Sequence, residues 1–472
     1  MFKKLQTEGV TFYVAAGTYH AVYNRDGEET NDKTSQWVSE HGANIYGGYS
    51  PKATGTVSTT KAYPDMYRTI FTGDINGDDR VVVQSDCEYK FENFTDNAES
   101  SLLKMNISSD VRISGIELTG MSFSKGTSPA MLGITAAASS DYEVTVDHCK
   151  LYVADKGIEA ENVGRLVVDQ SEFYHIRNAA VFSNRDMKVS NSTFTHTNGV
   201  LYHVQEPETG LVVENSTFVK NISDVRAYNN DDKALTSAKI NNNTFISCEE
   251  GAYFELGDNM TATVEGNIFA GTKAYISKSG YETKQQTFTN NLLACETLEL
   301  RESGKEKDNV KLESATTLYK GVFDGLYSDA DAVFSPNLTY KGAATRTVAL
   351  LKDALPDGTS IRFPRLEKIT KDQRGVSRLD NTCMGAYEKD EETGAKVLND
   401  AICEIYPNPV KNVLNVNGCE ESFSYEIIDL TGRTVSSGKS SGTIAVAALS
   451  NGVYFLKLQS ANQQACLRFV KQ

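Results

Sequence analysis

The chain of 472 residues carries 47 Lys and Arg against 62 Asp and Glu, a net charge of −15 at neutral pH, with 40% hydrophobic residues. Such an acid excess argues against a nucleic acid or an anionic membrane as partner, each of which needs a positive face, and it slightly disfavours a highly anionic polysaccharide. Eight cysteines without a Cys-x-x-Cys pair argue against a thiolate metal site, and no run of eighteen apolar residues offers a transmembrane segment.

Residues 1–7 are basic and polar and lead straight into a strand at 10–14 (VTFYV). No secretory leader precedes it, so the chain is expected to begin in mid-domain, as a truncated start would. Residues 1–110 read as N-terminal coils and cap. Within them 12–19 (FYVAAGTY), 45–49 (IYGGY) and 69–75 (TIFTGDI) resemble the opening coils of bacterial surface proteins with right-handed β-helix repeats, including the polymorphic outer-membrane type. The stretch 74–79 (DINGDD) alternates carboxylates and an amide as half a calcium loop does. Its twelfth position is Ser85 and a strand follows, so a plain turn is expected; Ca²⁺ is the one ion it could take, and no other cofactor is implied.

The first clear coil is VRISGIEL at 111–118. From 144 to 293 one eight-residue phrase then returns seven times: VTVDHCKL, LVVDQSEF, MKVSNSTF, LVVENSTF, AKINNNTF, ATVEGNIF and QTFTNNLL, closing at 151, 173, 194, 218, 245, 269 and 293. A recurrence every 21 to 27 residues is the signature of a stacked repeat. Each phrase alternates apolar and polar residues, then sets a polar knot before one large apolar residue: a short strand, a bend, and a strand re-entering the core. Neither the leucine-rich frame nor helical spacing is present. The fold class expected is all-β, with a right-handed parallel β-helix over 111–388 whose equivalent residues stack about 4.8 Å apart. Three positions before each closing residue stand His148, Gln170, Asn191, Asn215, Asn242, Gly266 and Asn290. Asparagine tolerates the left-handed backbone of a sharp bend, so Asn191, Asn215, Asn242 and Asn290 are expected to form a structural amide ladder rather than to carry glycans.

A second strand follows each phrase. If its first and third residues point inward, the outward ones set Tyr228, Tyr253 and Tyr275 beside His203, Arg226, Glu255 and Arg301 on neighbouring turns. Aromatic faces can stack on sugars and the charged groups can bond them, with loops at 229–232 and 249–250 as walls, which makes this a candidate glycan-binding face. An ordinary solvated sheet face is the competing account of the same residues. The β-helix lyases resembling chondroitinase B carry a Glu-x-Glu pair followed by Lys. Here Glu159-Ala-Glu161 lacks that Lys and Lys278 lacks the carboxylates, so no catalytic residue carries over.

After 293 the phrase decays, and 324–371 is expected to form terminal coils and capping loops. Residues 372–378 (DQRGVSR) with 384–388 (MGAYE) resemble the closing signature of the same β-helix families. Residues 389–403 read as a charged linker. Beyond it 405–410 (IYPNPV), 425–432 (YEIIDLTG), 449–458 (LSNGVYFLKL) and 469–472 (FVKQ) resemble the C-terminal sorting domain of the type IX secretion system, and 404–472 reads as a small β-sandwich. That resemblance implies the type IX machinery as a partner and a secreted or surface-anchored location. The function expected is adhesion or binding of a polysaccharide or surface glycan, with a polysaccharide-cleaving enzyme as the alternative.

Overall fold

A strand that alternates apolar and polar residues must bury one side, and here each repeat buries it against the repeats before and after. The computed structural model describes residues 9–22, 28–30, 32–51, 64–84, 88–122, 129–138, 140–204, 209–229, 236–247, 253–256, 260–271, 273–276, 286–294, 298–299, 304–330, 333–340, 344–389, 404–417, 423–429, 433–459 and 464–472. The chain divides into two units, 1–389 and 390–472.

In the first unit an eleven-stranded parallel sheet stacks one side of every coil, from Thr11–Ala15 through Glu143–Asp147 to Gly304–Lys307. An eighteen-stranded parallel sheet holds the other two sides, and long strands such as Lys150–Glu161 bend midway to serve both. Register is uniform through the phrases. Val146, Val168, Val189, Val213, Ile240, Val264 and Phe288 pair in one column. The closing residues Leu151, Phe173, Phe194, Phe218, Phe245, Phe269 and Leu293 pair in another. The five phenyl rings lie buried with successive centroids 4.7–4.9 Å apart. The expected parallel β-helix is therefore the architecture, and its one-turn-per-phrase period places equivalent side chains in contact.

The bend column adopts the left-handed conformation throughout, from φ 54° at His148 through 50° at Asn191 and 69° at Gly266 to 55° at Asn290. The amide ladder, however, lies one residue further along the chain. Asn191 Nδ2 donates to Asp169 (2.8 Å), Asn215 Nδ2 to the Lys371 carbonyl (2.8 Å) and Asn290 Nδ2 to Glu265 (3.0 Å), so these amides do not bond one another. Asn242, fully buried, has neither amide atom bonded among the described residues. A left-handed residue turns the chain so that the next side chain points inward, and that next position carries the ladder. Asn243, Asn267, Asn291 and Asn309 bond Nδ2 to Oδ1 up the column at 2.9–3.2 Å. Each Oδ1 also accepts the backbone N–H of the preceding coil. Ser171, Ser192 and Ser216 fill the same place in the earlier coils with hydroxyls. Inside a solenoid every bend leaves a backbone donor that water cannot reach, and the ladder satisfies it.

The described residues of 316–389 form no further coils, which corrects the expected extent of the solenoid: its last paired strands among the described residues are Gly304–Lys307 and Val310–Lys311. They fold back as one helical turn and antiparallel hairpins over the outside of the coils. Leu318, Phe323, Phe334, Leu350, Phe363 and Met384 pack there on Val219, Ile246, Ile268 and Leu292, making a second core outside the helix. A Cβ on Gly266 would fall 2.2 Å from the Phe363 ring, which explains the one glycine in an asparagine column. The closing signature is the latch of this layer. Gln373 Nε2 donates to Thr193 Oγ1 (2.9 Å) and its Oε1 accepts from Thr217 (2.5 Å), while the Ala386 N–H donates to Thr244 (2.9 Å). Arg378, fully buried, donates to Asn215 Oδ1 and the Gly385 carbonyl, both at 2.8 Å, and faces Glu388.

The second unit is the expected β-sandwich. A three-stranded and a four-stranded antiparallel sheet enclose Val410, Leu414, Ile427, Ile444, Leu456 and Phe469.

Candidate functional site

On the third side of the coil the register departs from the even spacing of the phrases. Irregularities between Ala154 and Lys156, Ile176 and Val181, and Ser223 and Val225 shift each strand by a residue or more relative to its phrase. Counting from the phrase therefore misplaces the outward residues. Val181 and Ser183 pair with the inward Ile158 and Ala160, and Phe182 takes the outward place. Arg226 pairs with Glu255 and Glu255 with Tyr275, whereas Tyr228 pairs with His203 and Tyr253 with Lys273. The three tyrosines thus occupy three register columns and make no continuous wall. Arg226 and Glu255 pair with each other at 3.1 Å. The side chains of His203, Tyr228, Tyr253 and Tyr275, all of Arg301, and the expected loop walls at 230–232 and 249–250 lie outside the described residues.

A site the sequence reading did not reach lies on the strand that follows the bend. There the outward columns run Glu117, Lys150, Glu172, Thr193, Thr217 and Thr119, Tyr152, Tyr174, Thr195, Val219. The threonine and valine end is roofed by residues 316–389; the charged and aromatic end is open. It floors a groove of about 630 Å³, walled by Ser335, Pro336, Leu338, Tyr340 and Arg346 and edged by Val83 of the hairpin Arg80–Val83/Tyr89–Glu92. Arg68, Lys150, Lys220 and Arg346 line it against one lining carboxylate, Glu172.

Two buried carboxylates hold the guanidinium groups in place. Arg68 donates in bidentate fashion to Glu117 at 2.7 and 2.6 Å, and Tyr152 Oη adds a third bond to that carboxylate. Arg346 donates its backbone N–H and Nε to Glu172, 2.7 and 3.2 Å away, and lies over the Tyr174 ring. Tyr174 stacks on Tyr152 with centroids 4.6 Å apart and planes within 5°. Burial pushes the Tyr152 phenol up to about 12 and Tyr174 further, so both are donors at any physiological pH. Across the groove Lys150 Nζ meets Tyr340 Oη at 3.3 Å, and the Tyr340 ring is 38% exposed. Next to Tyr174 the left-handed column passes through His175 and His196, whose rings lie 5.6 Å apart with Tyr89 edge-on to both. Burial, then His196 and Arg346, push His175 down to about 4, so it is a neutral imidazole at pH 7.

Preset cations, phenol donors and one open aromatic face can bind an anionic, hydroxyl-rich chain. The one sequence signal for this groove is the residue after each closing apolar position, which reads Tyr152, Tyr174, Thr195, Val219, Ile246, Ala270, Ala294 and so changes from aromatic to apolar along the array. Arg346 and Tyr340 had no such signal, since folding brings them from outside the repeats. On the opposite sheet a second polar groove of about 520 Å³ is filled by its own pairs, among them Arg112 on Asp147 at 2.7 Å and His148 Nδ1 on Asp147 at 2.7 Å. Cys149 and Cys383 are buried free thiols. Among the described residues one acidic group, Asp74, Asp78 and Asp79, has its oxygens close enough to share a cation.

Residues 132–293 match the family model of the right handed beta helix region, and residues 404–472 match that of the secretion system C-terminal sorting domain. No curated protein matches the chain. No helix among the described residues is long and apolar enough to cross a membrane.

Proposed function

We infer that this protein, a right-handed β-helix exported by type IX secretion to the cell surface or the medium, binds an acidic glycan in the groove between Arg68 and Arg346. The observation that carries the reading is the pair of arginines fixed by buried carboxylates at either end of the Tyr152–Tyr174 stack. An unpaired surface arginine spends rotamer freedom on meeting a ligand; these two are already held. The overall acidity does not oppose this, because a ligand within a Debye length of about 8 Å responds to the local balance, four cations against the paired Glu117 and Glu172 and the exposed Asp65, rather than to the whole surface.

The test is calorimetric titration with uronate-containing, sulfated and neutral polysaccharides. Binding to one acidic class, weakened by salt and lost in Arg68→Gln and Tyr174→Ala, is the expected result. Equal or absent binding across the panel sinks the reading. Tyr275→Ala reports separately on the face of Arg226 and Glu255.

Cleavage by β-elimination is a second reading, in which the unprotonated His175 that lines the groove beside Arg346 is the base, a weak one because burial lowers its pKa. Ultraviolet absorbance of an unsaturated product, abolished in His175→Ala, is its signature. Glu117 and Glu172 are each taken up by an arginine, which leaves neither as a proton donor for hydrolysis.

A further inference from the structure

The turn at 74–79 sits at the root of the hairpin that edges the groove. Three of its carboxylates, from Asp74, Asp78 and Asp79, place an oxygen each within 4.8 Å of the others. Oxygens held about 2.4 Å from one ion lie within about that distance of each other. The loop fixes them without a counter-cation. Asp74 accepts the Gly77 N–H (2.7 Å) and the Asp79 N–H (3.4 Å), and Asp96 accepts the Asn76 N–H (3.1 Å). No Lys or Arg is paired with these carboxylates among the described residues.

Beneath them lies a second, independent feature. Asn97 is fully buried and its Oδ1 has no donor among the described residues; the buried Oδ1 of Asp79 has none either. A buried acceptor without a donor is unfavourable unless something positive satisfies it. The Asn97 amide faces the cluster, with Nδ2 2.8 Å from Asp79 Oδ2. A half-turn of that amide puts its oxygen where the nitrogen now lies, a separation that two acceptors share when one cation touches both.

We propose that Asp74, Asp78, Asp79 and Asn97 form a divalent-cation site for calcium, which pins the hairpin Arg80–Val83/Tyr89–Glu92 to the solenoid and so sets the edge of the groove. Carboxylate and amide oxygens are the hard donors calcium takes, in a loop irregular enough for its flexible coordination. The glutamate that closes a helical calcium loop is not needed, because Asn97 approaches from the neighbouring segment. Tyr89 packs edge-on to His175, so the anchored hairpin reaches the groove wall.

The experiment is a calcium titration of chelator-treated full-length protein, read by calorimetry and by hydrogen exchange over residues 74–92. Calcium is expected to bind and to slow exchange there. Asp78→Asn, an exposed and structurally mild change, is expected to weaken binding by about tenfold or more, since affinity follows ligand charge. Asn97→Ala should do the same, and the distant Glu313→Gln should bind as the unaltered protein does. No uptake at millimolar calcium, unchanged exchange in 74–92, or undiminished binding in Asp78→Asn overturns the site.

Discussion

The two halves of one sheet face make opposite use of the same backbone. From Glu117 to Tyr174 the outward residues, Thr119 apart, are charged or aromatic and underlie the groove; from Thr193 to Ala294 they are Thr, Val, Ile, Leu and Ala and are covered by the returning chain. The core beneath is continuous in both, since the inward Phe173–Phe269 stack runs across the boundary without a break. Inward residues decide that the coils stack, and outward residues decide what lies on them. Apolar outward columns cannot stay in water on this scale without a partner, and the chain supplies its own.

The comparison breaks most visibly at the latch. Arg378→Met leaves Asn215 Oδ1 and the Gly385 carbonyl without their donor in a sealed layer, while Glu388 keeps Arg362, and should cost about 2–5 kcal/mol, seen as a lower urea midpoint for the first unit. If stability is unchanged, the roof contributes nothing to the covered half.

A smaller effect belongs to pH. Burial alone would raise Asp147, but hydrogen bonds from His148 and Arg112 hold it down to about 2, whereas His148 is raised above its ordinary 6.5, chiefly by that same carboxylate. A depressed carboxylate stabilises fully above its unfolded value near 3.8 and loses that stability as pH falls toward 2, here roughly 2 kcal/mol. A raised histidine contributes below 6.5 and loses it as pH rises through its folded value. Urea midpoints should therefore be highest between about pH 4 and 6.5, with the acid-side loss absent in Asp147→Asn.

The smallest effect is expected in the open half. Lys150→Ile removes hydrogen bonds to Tyr340 and Asp65 and should change stability by under about 1 kcal/mol while weakening acidic-glycan binding. A large destabilisation would mean that the groove floor is structural after all.

The seven phrases were enough to read the coils, because each octet spans the bend and both flanking strands without insertion. The Asn column was placed correctly as the left-handed bend, and Asn191, Asn215, Asn242 and Asn290 were one residue short of the ladder because the chain's turn there, not the residue type, selects which amide points inward. The third side was less legible. Bulges between bend and strand differ from coil to coil, so Tyr228, Tyr253 and Tyr275 fall out of column even though their phrases align.

By itself the sequence determined the period, the inward columns, the break before 404 and the sandwich beyond it, since alternation and repeat spacing are local properties that stacking merely repeats. Only the tertiary structure decided where 316–389 lands, which half of the face it leaves open, and that Arg346 and Tyr340 meet Glu172 and Lys150 there. Those contacts join segments up to 190 residues apart, and no local pattern encodes such a meeting.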